Sequence, residues 1–86
     1  MEETRLITCQ VGFYPMSTGA GSARVEDALA IIRSYPLETQ VGPMSTTVSG
    51  ESGVVHAMLA DLTNRMQSTG HEFVMTITIS NVCPWP

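Results

Sequence analysis

The clearest pattern in the sequence is a strict alternation of apolar and polar residues near its start, in RLITCQVGFY at residues 5–14. Side chains of a β-strand point alternately to the two faces of a sheet, so this segment predicts a half-buried strand. The two sets are Ile7, Cys9, Val11 and Phe13 on the apolar side, and Thr8, Gln10, Gly12 and Tyr14 on the other. The segment EFVMTITIS alternates in the same way and predicts a last strand that ends near Asn81.

Two other segments repeat their apolar residues at the three- and four-residue spacing of an amphipathic helix. The first helix is predicted over residues 23–34, with Ser22 as a candidate N-cap and Pro36 preventing continuation. The second is predicted over residues 53–69, with Ser52 as a candidate N-cap and Gly70 in the C′ position.

The segment between the two helices, LETQVGPMSTTVSG, predicts two short strands over residues 37–42 and 45–50, joined in a hairpin at Gly42 and Pro43. The order of elements is therefore βαββαβ, and the helices are long enough to form right-handed crossovers. We expect one α+β domain over residues 1–86, since this length supports a single core. The expected fold is a ferredoxin-like sandwich: a four-stranded antiparallel sheet in the order four-one-three-two, with both helices on one face.

The sheet face that the helices leave open is predicted to carry hydroxyl and amide side chains with almost no charge. Its predicted members are Thr8, Gln10, Tyr14, Gln40, Ser45, Thr47, Ser49, Thr76, Thr78 and Ser80. A solvated sheet face ordinarily carries Lys, Glu and Arg, whereas a neutral polar face is more easily desolvated. This indicates a floor for a polar small molecule, a contact between protomers, or both. The alternative is that Thr and Ser are simply good solvent-facing strand formers.

The charge balance narrows the classes of partner. Eight acidic and four basic residues give a net charge of -4, which opposes nucleic-acid binding and favours a neutral or cationic ligand. Only 14% of the residues are charged, which indicates that part of the surface is hidden in an oligomer. The start of the sequence, MEETRLIT, is acidic where a secretory signal is basic, and no segment approaches the roughly 18 apolar residues of a membrane span. We therefore expect a cytoplasmic protein with no membrane insertion.

Catalytic and metal-binding motifs are not recognisable in the sequence. His56 and His71 lie in and after the second predicted helix without a nucleophile motif beside them, and Cys9 and Cys83 do not form a CxxC pair. The glycines of GAGS lack the rest of a dinucleotide or Walker pattern, so STGAGS is read as a mobile loop or as a lid over a ligand. We expect no enzyme, no cofactor and no metal, with both cysteines as free thiols.

Three motifs carry a family resemblance: GFYPM at residues 12–16, PMSTTVSGE at residues 43–51 and CP at residues 83–84. Together they resemble the YkoF-type thiamine and hydroxymethylpyrimidine binding domains, a group of small thiamine-binding proteins, from about Leu6 to Pro84. The resemblance implies a ferredoxin-like domain that binds thiamine (vitamin B1) or its pyrimidine moiety without transforming it. It also implies a homo-oligomer, a dimer or tetramer formed through the sheets, in which a second protomer completes the site.

The family's motifs in the first strand and the hairpin place the implied pocket around Tyr14, Met16, Met44, Ser45, Thr46 and Thr47. An aminopyrimidine needs a flat slot with hydrogen-bonding groups at its rim, which Gln10 and Gln40, with Ser45 and Thr47, are able to supply. The ring of Tyr14 would stabilise the thiazolium charge by roughly 0.5 to 2 kcal/mol.

The leading functional hypothesis is therefore a binder of thiamine or hydroxymethylpyrimidine in vitamin buffering, uptake or salvage, with a functional link to a thiamine transporter. The alternative is an oligomerising or regulatory ferredoxin-like module that binds another small molecule, such as an amino acid, or none.

Overall fold

The computed structural model describes residues 6–16, 21–42, 45–70 and 72–82, and gives the backbone only for residues 21–24. The elements are β1 (Leu6–Pro15), α1 (Gly21–Arg33), β2 (Glu38–Val41), β3 (Thr46–Glu51), α2 (Ser52–Ser68) and β4 (Phe73–Ser80). This confirms the predicted βαββαβ order, with shifts of one or two residues at most of the predicted ends.

The four strands form one antiparallel sheet in the order β2-β3-β1-β4, as predicted. β1 is central, because it pairs with β3 on one side, where Cys9 lies opposite Val48, and with β4 on the other, where Val11 lies opposite Ile77. β2 pairs only with β3, so β2 and β4 are the two edges. With α1 packed against β1 and α2 against β1 and β3, the chain has the ferredoxin-like α+β fold.

The hydrophobic core lies between the helices and the apolar side of the two central strands. Its buried members are Cys9, Val11, Ala28, Ile31, Ile32, Val48, Val55, Met58, Leu59, Leu62 and Met66. The thiol of Cys9 is a free thiol inside this core, and burial raises its pKa because a thiolate loses its hydration there. Cys83 lies outside the described residues.

The caps of the helices differ in part from the prediction. The N-cap of α2 is Glu51, without a capping hydrogen bond from its side chain, and Ser52 is the first helical residue. α1 begins at Gly21, so Ser22 lies in its first turn rather than at the cap. Serine is a favoured N-cap residue, but each helix starts one or two residues before the predicted position, which places both serines in the first turns.

The end of α2 is as predicted. Gly70 has a φ of +80°, and its N–H donates to the carbonyl of Gln67 at 3.0 Å. Only glycine adopts this left-handed conformation at little cost, so Gly70 closes the helix. Neither described helix is long and apolar enough to cross a membrane.

The helix layer does not cover the whole sheet. Phe73 and Met75 of β4 are half-buried on the helix side, as the alternation predicts, but Ile77 and Ile79 further along the strand remain 41% and 44% exposed. The helices pack on β1 and β3, so the later half of this edge strand extends past their cover. The sequence predicts the direction of these side chains correctly but not their burial.

One hydrogen bond ties the segment after α1 to α2. The hydroxyl of Tyr35 donates to Oδ2 of Asp61 at 2.8 Å, and Nη1 of Arg65 lies 3.5 Å from the same oxygen. The hydrogen bond to the Asp61 carboxylate raises the pKa of the Tyr35 phenol, because it favours the protonated ring, and desolvation adds to this effect.

We expect Tyr35 to ionise at a higher pH than an ordinary tyrosine, whose pKa is about 10. Its folded-state pKa is raised, so the stability that its hydrogen bond contributes is present below about pH 10 and is lost as the pH rises through the raised value. An NMR titration of the Tyr35 ring carbons measures this pKa, and Asp61→Asn should move it back towards the ordinary value. An unchanged Tyr35 pKa in that variant would contradict this assignment.

Candidate functional site

The register of the sheet brings the predicted polar residues together on the open face, opposite the helices. One row across the sheet consists of Gln40, Thr47, Gln10 and Thr78, each directly opposite the next on a neighbouring strand. The adjacent row consists of Glu38, Ser49, Thr8 and Ser80. The predicted polar face is therefore confirmed.

The open face is neutral at its centre and acidic at its margin. The charged side chains that the described strands place on this face are Glu38 on the β2 edge and Glu51 at the end of β3. Gln10 and Thr78 at the centre are exposed, whereas Thr8 and Thr47 are half-buried by their neighbours. A cation that approaches this face therefore meets acidic groups and neutral hydrogen-bonding groups.

Six residues form a polar pocket of about 210 Å³ on the open face, beside the end of β1. They are Gln10, Gly12, Tyr14, Ser45, Thr76 and Thr78. Nε2 of Gln10 donates to Oγ of Ser45 at 3.0 Å, which ties the Gln10 side chain of β1 to the residue just before β3. Gln10 also carries an amide oxygen that can accept, and each hydroxyl can donate or accept.

The ring of Tyr14 lies across β1 above Gly12 and forms one wall of this polar pocket. A Cβ atom on Gly12 would lie 2.7 Å from Oη of Tyr14, 3.0 Å from Cε2 of the same ring and 2.7 Å from Oγ1 of Thr76. A Cβ atom does not approach non-bonded carbon or oxygen atoms this closely, so the absence of a side chain at residue 12 is what admits the ring. Gly12 thus leaves room for the Tyr14 ring and the Thr76 hydroxyl above this part of β1.

A second cavity, of about 250 Å³, lies on the other side of the sheet, between α1 and the strands. Ala28, Leu29 and Ile32 of α1 form one wall of this apolar cleft, and Val11 and Thr46 lie on the sheet side. Tyr14 and Ser45 line both the apolar cleft and the polar pocket. The two cavities are therefore neighbours that share a boundary at the end of β1.

The predicted binding residues divide among several places. Gln10, Tyr14 and Ser45 meet in the polar pocket, while Gln40 and Thr47 lie next to it on the same row of the open face. Thr46 points to the helix side and lines the apolar cleft.

Met16 follows β1 with its side chain 57% exposed, and its N–H donates to the carbonyl of Glu72 at 3.0 Å. Met44 lies outside the described residues. The same holds for Pro43, for residues 17–20 of the STGAGS loop and for His71.

Sequence reasoning missed three residues of the polar pocket as site residues: Gly12, Thr76 and Thr78. The alternation predicts both threonines on the open face, but only the register shows that Gly12 lies opposite Thr76 and Gln10 opposite Thr78. The sequence does carry a signal for Gly12: a glycine within a strand, two residues before an aromatic residue on the same face, indicates that a side chain approaches the backbone there.

We expect Gly12→Ala to push the Tyr14 ring away from Thr76 and to change stability by no more than about 0.5 kcal/mol, because the neighbours are exposed side chains that can move. Nuclear Overhauser effects between the Tyr14 ring and Thr76, together with chemical denaturation, measure both effects. Gly53→Ala is the matched control, because nothing lies within 4 Å of a Cβ at that position. A Tyr14 ring that stays in place in Gly12→Ala would contradict this role for the glycine.

Solved structures of similar fold come from several organisms. A Thermotoga maritima protein, described as a candidate thiamine biosynthesis or salvage protein, has a TM-score of 0.79 and 23% identity, over 87% of this chain and 82% of that one. A domain of unknown function from Bacillus cereus has a TM-score of 0.78 and 22% identity, over 90% and 76% of the two chains. A hypothetical protein from Methanocaldococcus jannaschii has a TM-score of 0.81 and 18% identity, over 95% and 86%. At these identities the likeness shows the fold.

Among curated proteins, an adenylosuccinate synthetase from Oleidesulfovibrio alaskensis is 31% identical over 68 residues, which are 79% of this chain. The chain spans only 14% of the length of that relative. The match therefore concerns a small segment of the larger protein.

The family comparison covers most of the chain. The family model described as thiamine-binding protein matches residues 9–81, from β1 to the end of β4. The matched segment includes every residue that lines the polar pocket and the apolar cleft. On the strength of this match, the chain belongs to the thiamine-binding protein family.

Proposed function

We propose that this chain binds thiamine or its hydroxymethylpyrimidine moiety without transforming it, and that the polar pocket holds the pyrimidine ring. The observation that carries the proposal is the hydrogen-bonded pair of Gln10 and Ser45 beside the ring of Tyr14. The ring of Tyr14 is able to lie across the strand because Gly12 has no side chain. This arrangement is a slot with polar groups at its rim and an aromatic wall. Membership of the thiamine-binding protein family supports the choice of ligand.

The groups around the polar pocket complement an aminopyrimidine. Its amino group donates and its ring nitrogens accept hydrogen bonds, and the Gln10 amide with the Ser45 and Thr76 hydroxyls offers partners of both kinds. The pocket, at about 210 Å³, is smaller than the usual range of roughly 300–1,000 Å³ for drug-sized ligands. It suits one ring, so the thiazolium of thiamine would lie outside, next to Tyr14.

Electrostatics favour the unphosphorylated vitamin. Tyr14 is 42% exposed, and a cation over an exposed aromatic ring gains about 0.5–1 kcal/mol. The margin of the open face contributes Glu38 and Glu51, and its described strands place no Lys or Arg there. A phosphorylated form would bring negative charge to an acidic surface without a basic partner.

The chemistry of the polar pocket supports binding rather than catalysis. Its described lining consists of an amide, hydroxyls, a phenol and a glycine backbone. General acid–base catalysis at neutral pH ordinarily uses a histidine or a carboxyl group with a pKa near the working pH. Neither is among the described lining residues, so the polar pocket is suited to hold a ring unchanged.

A second copy of the chain on the open face would complete the binding site. Gln10 and Thr78 are exposed in the single chain, and hydrogen bonds to a ligand become stronger when water is excluded. The low charged fraction of 14% makes such a contact less costly than it is for an ordinary sheet surface. A homodimer or tetramer of this kind suits a role in vitamin buffering, uptake or salvage, including delivery to a thiamine transporter.

Calorimetric titration of the full chain with thiamine, hydroxymethylpyrimidine and thiamine diphosphate tests the proposed function. We expect saturable binding of the first two ligands and weaker binding of the diphosphate. Ligand at 100 times its Kd should stabilise the fold by about 2.7 kcal/mol, which raises the melting temperature. No heat and no melting shift with millimolar thiamine and hydroxymethylpyrimidine would contradict the proposal.

Two variants separate the contributions within the polar pocket. Gln10→Ala should weaken the binding of both thiamine and hydroxymethylpyrimidine, because it removes the amide that pairs with Ser45. Gln67→Ala, on the exposed side of α2, is the matched control. Tyr14→Ala should reduce the affinity for thiamine by roughly 2- to 5-fold more than the affinity for hydroxymethylpyrimidine, because only thiamine carries the cation. Equal losses for the two ligands would show that the aromatic ring does not contact the thiazolium.

A further inference from the structure

We propose that the apolar cleft between α1 and the sheet is a second binding site, which takes a small neutral molecule with one aromatic ring. This goes beyond the vitamin site, because the cleft lies on the helix side of the sheet and the polar pocket on the open face. The inference rests on the walls, the size and the mouth of the cleft.

The walls select a neutral and largely apolar ligand. Ala28, Ile32 and Leu62 are buried core residues that also line the cleft, so a ligand there would contact the apolar core directly. None of the described lining residues is charged. An ion that entered would lose its hydration without gaining a partner, which strongly disfavours cations and anions alike.

The size of the cleft limits the ligand to about one ring. An apolar cavity of about 150 Å³ lined by Leu, Ile and Phe is able to bind benzene. The cleft, at about 250 Å³, has room for such a ring with short substituents. An α-helix has a diameter of roughly 10–12 Å with its side chains, so the cleft is too small to receive one.

The hydroxyl group of Thr46, on the helix side of the sheet, sets a preferred chemistry for the ligand. Thr46 lies opposite Val11 in the register and shares its face, so its hydroxyl belongs to an otherwise apolar wall of the sheet. Such a hydroxyl both donates and accepts, and it matches a single hydroxyl or amino group on the ring. A phenol is therefore a better fit than an unsubstituted hydrocarbon.

The mouth of the cleft carries apolar surface that a ligand would cover. Val25 on α1 and Val41 at the end of β2 are 36% and 46% exposed, and both line the cleft. A ligand that covers this apolar surface removes it from water, which favours binding. Phe13 also lines the cleft, and its ring is held in place because it stacks on the ring of Phe73 with centroids 5.2 Å apart. The cleft is thus largely formed before a ligand arrives.

An NMR titration of the full chain with p-cresol, toluene and benzoate tests the second site. We expect saturable shifts of the methyl groups of Val11, Ala28 and Leu29 with p-cresol, a weaker response with toluene, and none with the benzoate anion. The proposal is overturned if p-cresol causes no saturable shift up to its solubility limit, or if its shifts map to the polar pocket instead.

Variants that fill the cleft provide the decisive control. Ala28→Leu occupies its floor, and Val25→Phe fills its mouth from an exposed position where a larger side chain does not threaten folding. Each should reduce the affinity for p-cresol at least 10-fold. Ala57→Leu, on the exposed side of α2, should leave this affinity unchanged. Undiminished p-cresol binding in folded Val25→Phe overturns the proposal even if Ala28→Leu fails to fold.

Thiamine titrations of the same variants keep the two sites distinct. Val25→Phe should retain thiamine binding, because Val25 lines the apolar cleft and not the polar pocket. Loss of p-cresol binding with thiamine binding intact supports two separate sites. Loss of both in folded Val25→Phe shows one shared site and overturns this inference, whereas a chain that binds p-cresol but never thiamine overturns the vitamin proposal alone.

Discussion

The structure depends on the two-residue period of β1 and on its pairing with strands on both sides. Cys9 and Val11 enter the core on one face, and Gln10 and Tyr14 reach the open face on the other. A slip of one residue in the register would exchange the two sets and bury an amide and a phenol in the core. The same constraint therefore fixes the hydrophobic core and the polar pocket, so the register that stabilises the fold also assembles the polar pocket.

The two sides of the sheet have different physical characters, and the end of β1 is where they meet. The polar pocket offers hydrogen bonds on a neutral, partly acidic surface, whereas the apolar cleft offers contact with the buried core. Tyr14 and Ser45 belong to both cavities, and Gly12 and Phe13 position the neighbouring side chains. This end of the sheet therefore combines two cavities, hydrogen-bonding groups and aromatic surface.

The helices leave a large part of the sheet uncovered. The helices pack on the two central strands and leave Ile77 and Ile79 of the edge strand partly exposed, as well as the whole open face. Charged side chains usually protect such edges and faces, and β4 carries none in the segment FVMTITIS. The single chain thus presents more unprotected sheet than a small monomer usually does, consistent with the low charged fraction of the sequence.

The sequence by itself determined the fold, because strand alternation, helical spacing and the glycine at residue 70 are local patterns that each specify one element. It also determined that Gln10, Thr47 and Thr78 share a face. Only the tertiary structure decided which of them meet, since the register across β1, β3 and β4 depends on long-range packing. Local propensity likewise could not reveal that Gly12 admits the Tyr14 ring, that Thr46 faces a cleft under α1, or that α2 starts without a serine cap. Those features follow from contacts between segments far apart in the chain, and a pattern within one segment does not contain them.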